Sequence, residues 1–152
     1  MLDYTKVVFV SKSDTGRGPL AAEMMKKKLD IINDDIISRG LVVLFPEPVN
    51  PKFVAIAASK GIDLANRSSV VLSEDDFGPR VLVLTMDEKY KEAIYEEFTN
   101  AVNVYTLKEF VGDDGDVVNP HGGELSDYGN TYESLDELID QVIDKLQEPS
   151  EE

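Results

Sequence analysis

The stretch Lys6–Pro19, KVVFVSKSDTGRGP, decides how the rest of the chain is read. Five β-favouring positions, Lys6 to Val10, give way at Ser11 to a small polar loop containing Gly16 and Gly18. Pro19 then stands where a helix begins, since its fixed φ suits a first turn and its missing N–H has no partner there anyway. A strand, a tight loop and a helix N-terminus in immediate succession aim several backbone N–H groups at one spot. The positive end of the helix dipole lies behind them, which outlines an anion site. Arg17 closes the loop with a fork that matches two phosphate oxygens. The same segment also fits an ordinary strand-to-helix turn with polar caps. Neither G-x-G-x-x-G nor GK[ST] occurs, so dinucleotide and P-loop readings are out.

Working outward, the pattern predicts helices over Pro19–Asn33, Pro51–Lys60, Asp87–Phe98 and about Thr131–Gln147, and a short helix capped by Ser73. Ala21, Met25, Leu29 and Ile32 form the apolar stripe of the first, and Gly61 ends the second in a left-handed cap. Ile36–Ser38, Arg80–Thr85 and Ala101–Tyr105 read as further strands, and Lys108–Gly115 as a turn running into an acidic loop. Leu41–Phe45 is an apolar run inside a proline-rich loop. It suits either an exposed lip or, more commonly, a strand end packed into the core. Strands alternating with helices imply an α/β domain, a four-stranded parallel sheet with helices on both faces and a site at the carboxyl ends of its strands.

At 152 residues the chain is expected to form a single domain over 1–152, with 148–152 a frayed acidic tail. It has no cysteine, which excludes disulfides, thiolate catalysis and cysteine-bound zinc. One histidine argues against a dedicated metal site, and no metal or cofactor is expected. A net charge of −15 and a pI near 4.3 disfavour nucleic acid and anionic membranes. They leave basic proteins as possible partners. No apolar run approaches a membrane span and the first residues do not read as a signal peptide, so the expected location is cytoplasmic.

The loop Ser11-Lys12-Ser13-Asp14-Thr15-Gly16-Arg17-Gly18-Pro19 resembles the C-x-G-N-x-C-R-S-P phosphate loop of the low-molecular-weight protein tyrosine phosphatases. Val104–Phe110 and Gly115–Gly123 resemble the "TLKEY" and "GDV-x-DP-aromatic-GG" segments of that family's bacterial branch, which includes protein arginine phosphatases and lies near arsenate reductases. The resemblance runs from Lys6 to about Leu146 and implies that family's fold.

It also implies four catalytic functions: a thiolate nucleophile, a hydroxyl that steadies it, an arginine with loop amides, and an aspartic acid. Carried over residue by residue, the nucleophile position is Ser11, the hydroxyl position Gly18, the phosphate clamp Arg17 and the general-acid position Asn119. Ser13 and Asp14 replace a glycine and an asparagine, and a carboxylate at Asp14 facing the pocket would oppose a phosphate. His121, Tyr128 and Tyr132 are expected at the pocket rim, the two tyrosines flanking a helix start. Ser11 lacks an acid-strength thiol and Asn119 cannot exchange a proton, so the expectation is an impaired or inactive phosphatase homologue. It would bind a phosphorylated protein, a small phosphate or another anion. The alternatives are residual tyrosine or arginine phosphatase activity, a Ser11–His121 hydrolytic pair, and an acidic scaffold with an empty pocket.

Overall fold

The computed structural model describes residues 4–31 and 35–148. Four strands, β1 (Lys6–Ser11), β2 (Ile36–Gly40), β3 (Val81–Thr85) and β4 (Val104–Thr106), form a parallel sheet in the order β2-β1-β3-β4. The helices are α1 (Arg17–Leu29), α2 (Pro51–Ser59), α3 (Glu88–Glu97), α4 (Leu107–Phe110) and α5 (Leu125–Gln147), with a 3-10 turn at Glu74–Asp76. No helix among the described residues is long and apolar enough to cross a membrane.

Side chains alternate across each strand, and the two sets enter two cores. Val7, Phe9, Leu82 and Leu84 pack with α1, α2 and α5, through residues such as Leu20, Met24, Phe53, Leu135 and Ile139. Val8, Val10, Val83 and Val104 point the other way and are closed by Ile94 of α3, Ile37 and Leu72. Burial on both faces explains why these strands read as continuous apolar runs rather than alternating ones.

Several boundaries differ from expectation for identifiable reasons. Helix α1 starts at Arg17, so Pro19 is its third residue, where the missing N–H is still harmless. It stops at Leu29 because Asp30 turns left-handed, its N–H bonding back to Lys27 and Lys26 carbonyls; the expected stripe residue Ile32 and the expected end, Asn33, lie outside the described residues. Lys27 and Lys28 of the basic run are exposed as expected, and Lys28 also reaches Asp136 and Asp140 of α5 at 2.7 and 2.9 Å. The predicted turn at Lys108 contains α4, held by a reciprocal Thr106–Glu109 capping box at 3.0 and 2.9 Å.

Helix α5 begins at Leu125, six residues before the expected Thr131. Its first turns include Gly129, where an added Cβ would make only ordinary contact with Ile56 of α2 at 3.7 Å. Leu41–Phe45 is not a packed strand end: Leu44 is 89% and Phe45 63% exposed.

The strand order places the reversal of winding between β1 and β3, and the loops after both strands open at the same end of the sheet. This geometry positions the site.

Candidate functional site

Ser11 ends β1 opposite Gly40 of β2, and its carbonyl accepts from Leu41 N–H while that of Lys12 accepts from Val42 N–H. These bonds carry the loop off the sheet in a fixed direction. Gly40 is required here, since a Cβ would fall 2.8 Å from the Ser13 carbonyl carbon and 2.9 Å from the Asp14 nitrogen. Thr15 is pinned by Asn50 N–H on its carbonyl at 2.8 Å, and the Ser13 and Thr15 hydroxyls share a 2.8 Å hydrogen bond. The Asp14 N–H donates to Ser11 Oγ at 3.2 Å.

Over the loop lies a cavity of about 370 Å³ lined by Ser11, Lys12, Ser13, Thr15, Gly16 and Arg17. Asn50, Phe53, Tyr90, Asn119, His121 and Tyr128 complete its walls. Arg17 is 4% exposed. Its Nη1 donates to Asp87 Oδ1 at 2.8 Å and to the Val117 carbonyl, and its Nη2 donates to Asp87 Oδ2 at 3.3 Å. Three of the five guanidinium N–H groups are thereby committed, and the Tyr90 hydroxyl lies within hydrogen-bonding reach of the same guanidinium.

Asp87 follows β3, and Val117 is stitched to the same junction by its N–H on the Met86 carbonyl. Burial, and next the Asp87 charge, push the Tyr90 hydroxyl above its ordinary range, against the pull of Arg17.

The structure brings most of the expected site residues together. Ser11, Lys12, Ser13, Thr15, Gly16, Arg17, Asn119, His121 and Tyr128 all face one cavity, and Gly18 lies directly behind Ser11, its added Cβ falling 3.0 Å from Ser11 Oγ. Tyr132 does not line it; it is buried one helical turn further along α5, beneath the Lys60 ammonium. Tyr128 is a helical residue rather than a loop residue, packed edge-on against Phe53 at 4.7 Å with its hydroxyl accepting from Asn50.

Asp14 does not set its carboxylate against a phosphate. Its carboxyl is 2% exposed and turns away from the cavity, with Oδ2 accepting from Val70 N–H at 2.9 Å. Asn119 accepts the His121 backbone N–H on Oδ1 at 3.1 Å, so its amide NH₂ is the end left to donate. Among the described residues no hydrogen bond joins His121 to Ser11 or to a carboxylate that would orient the imidazole.

Sequence reasoning missed Asp87, Tyr90, Asn50 and Phe53 as parts of the site. Asp87 carried a usable signal, because a residue just past the carboxyl end of the strand beside β1 must open onto the same crevice.

The family model for low molecular weight phosphotyrosine protein phosphatase matches residues 6–152. The chain belongs to that family. Among its relatives, the low molecular weight protein-tyrosine-phosphatase PtpB of Staphylococcus haemolyticus is 31% identical, over 90% of this chain and 96% of its own. The protein-arginine-phosphatase of Geobacillus stearothermophilus is 32% identical over 93% and 96%. The crystal structure of a low molecular weight protein tyrosine phosphatase from T. tengcongensis superposes with a TM-score of 0.85 at 31% identity, covering 92% of this chain and 98% of that one.

Within this phosphatase family, then, the chain keeps a buried arginine and a loop of amides. It carries serine, glycine and asparagine where the resemblance calls for thiolate, hydroxyl and carboxylic acid.

Proposed function

We propose that this phosphatase homologue captures a phosphorylated or similarly anionic group over the Ser11–Gly18 loop and does not turn it over catalytically. The observation that carries this reading is the state of Arg17: buried, anchored on Asp87 and Val117, and lining one cavity together with the loop residues. Holding a buried guanidinium in one orientation makes physical sense when an oxyanion is to meet it.

The reacting groups fail one by one. Ser11 Oγ accepts from the Asp14 N–H, and among the described residues it donates no hydrogen bond to a base. Gly18 offers no hydroxyl, and the Asn119 amide neither protonates a leaving group nor activates water. Loss of general acid–base help alone costs about 10²–10⁴-fold in rate.

The test pairs binding with turnover. Calorimetry with phosphate or vanadate should register binding by the native chain, while aryl phosphate hydrolysis stays at background. The Ser11→Cys/Gly18→Ser/Asn119→Asp chain should hydrolyse the same ester. Multiple turnover by the native chain would overturn the proposal, and absence of anion binding would favour the acidic scaffold with an empty pocket.

A second reading is favoured by one relative. A structure of the arginine phosphatase YwlE in which serine replaces cysteine has a phosphorylated active site serine; it is 31% identical, with a TM-score of 0.84, over 94% of this chain and 96% of that one. By analogy Ser11 would accept one phosphoryl group, its Oγ–P bond forming as the donor's P–O or P–N bond breaks and the hydroxyl proton leaves with the donor. Intact mass measurement after incubation with a phosphorylated donor decides this: a single stoichiometric phosphoryl increment, absent in Ser11→Ala, supports it.

A further inference from the structure

Asp14 occupies a special place in the loop. Its backbone is left-handed (φ 59°), its N–H belongs to the amide cradle through Ser11 Oγ, and its carboxyl is buried on the opposite side. Asp14 Oδ1 has no hydrogen-bond partner, the one such buried side-chain atom among the described residues.

The cations around it are engaged with other carboxylates. From β2, Ser38 faces the carboxyl, and Arg39 is paired with Asp76 at 3.3 Å. Arg67 lies near but is committed to Glu23 of α1 and to the Ser38 hydroxyl. On the cavity side Arg17 is paired with Asp87, and the Lys12 and His121 side chains stand at the mouth. Arg39, Arg67 and Arg17 are each paired with another carboxylate, and among the described residues Asp14 has no ion pair of its own. Burial, the largest effect on this group, pushes its carboxyl above the usual range, opposed by Ser38, the Val70 N–H, Arg67 and Arg39.

We propose that filling the phosphate loop is coupled to uptake of a proton by Asp14, so that the site takes an anion and a proton together and Asp14 sets its charge preference. This rests on the anion-binding reading of the loop above. An incoming dianion adds negative charge beside a buried carboxylate that has no ion pair, and protonating Asp14 removes one of those charges. By reciprocity, anything that neutralises Asp14 strengthens anion binding by the same factor, with couplings of this kind spanning ~5–150-fold. Asparagine is the matched replacement, since it tolerates the left-handed backbone, accepts from Val70 and presents an NH₂ toward Ser38.

The experiment is calorimetry with sodium sulfate, which stays dianionic from about pH 5 to 8, in buffers of different ionisation heat. The native chain should bind more weakly as pH rises and take up protons on binding. Asp14→Asn should bind more tightly at neutral pH with that uptake abolished, while His121→Gln retains it. Uptake unchanged in Asp14→Asn, or lost in His121→Gln, overturns the proposal. Binding by the native chain with no proton uptake overturns it even should Asp14→Asn not fold. Absence of sulfate binding by every chain at every pH refutes the anion-site reading, and this inference with it.

Discussion

Removing Arg17 should cost more than any surface change, and the amount is calculable from its contacts. The guanidinium and the Asp87 carboxylate are both buried and meet at 2.8 and 3.3 Å. With charge centres about 4 Å apart and an effective dielectric near 20, their attraction is on the order of 4 kcal/mol. Arg17→Met leaves Asp87 buried without a counter-ion and the Val117 carbonyl without a donor, which should destabilise by about 3–5 kcal/mol. For a chain of this length that lowers Tm by roughly 6–20 °C. Asp87→Asn strands the guanidinium instead and should cost a similar amount.

The double variant removes both charges and should be far less destabilised than the sum. An interaction energy of about 2 kcal/mol is expected, within the ~0.5–3 kcal/mol seen for contacting residues. Urea denaturation followed by far-UV circular dichroism gives all four stabilities. Costs that add within ~0.5 kcal/mol would refute a coupled pair. The same variants separate stability from binding: Asp87→Asn keeps the Arg17 guanidinium and should bind sulfate, whereas Arg17→Met should not.

Three further outcomes follow from other contacts. Because the folded carboxyl of Asp14 titrates above its ordinary range, its contribution to stability is present at acid pH and lost as pH rises through the folded value. Asp14→Asn should therefore exceed the native chain by about 1–3 kcal/mol at neutral pH, with the gap closing on acidification, as read from urea midpoints across pH. Gly40→Ala drives a methyl against the loop backbone and the Val43 side chain; it should destabilise by about 1–3 kcal/mol and weaken sulfate binding in calorimetry. Leu44→Ser/Phe45→Ser removes exposed apolar surface, and its thermal denaturation should show a change within ~0.5 kcal/mol.

The parts of this molecule that local rules govern were readable in advance. The β1 strand, its polar loop and the left-handed stop at Gly61 follow from propensity and backbone chemistry over a few residues. The α5 start was missed because Ser126, Gly129 and Asn130 look like loop residues, whereas Tyr128 packed against Phe53 draws the first turn onto the core. The α4 turn was legible and overlooked, since Thr-x-x-Glu at Thr106–Glu109 is a capping signature. In the site, the loop was visible from its spacing but its walls were not. Asp87 meets Arg17 across seventy residues of chain, and the orientation of the Asp14 carboxyl depends on Val70, contacts that no local pattern encodes.

The Arg17 clasp also says when in assembly the pocket comes into being. One side chain near the amino terminus is held by the β3–α3 junction and by the segment at Val117, which docks beneath α5 through Val118 and Thr131. A nascent or truncated chain ending before that segment has the loop sequence without its full anchorage. Slow amide exchange at Val117 would thus mark completion of the binding cradle, and an anion that prefers the finished cradle would act as a ligand-borne clamp joining the two ends of the molecule.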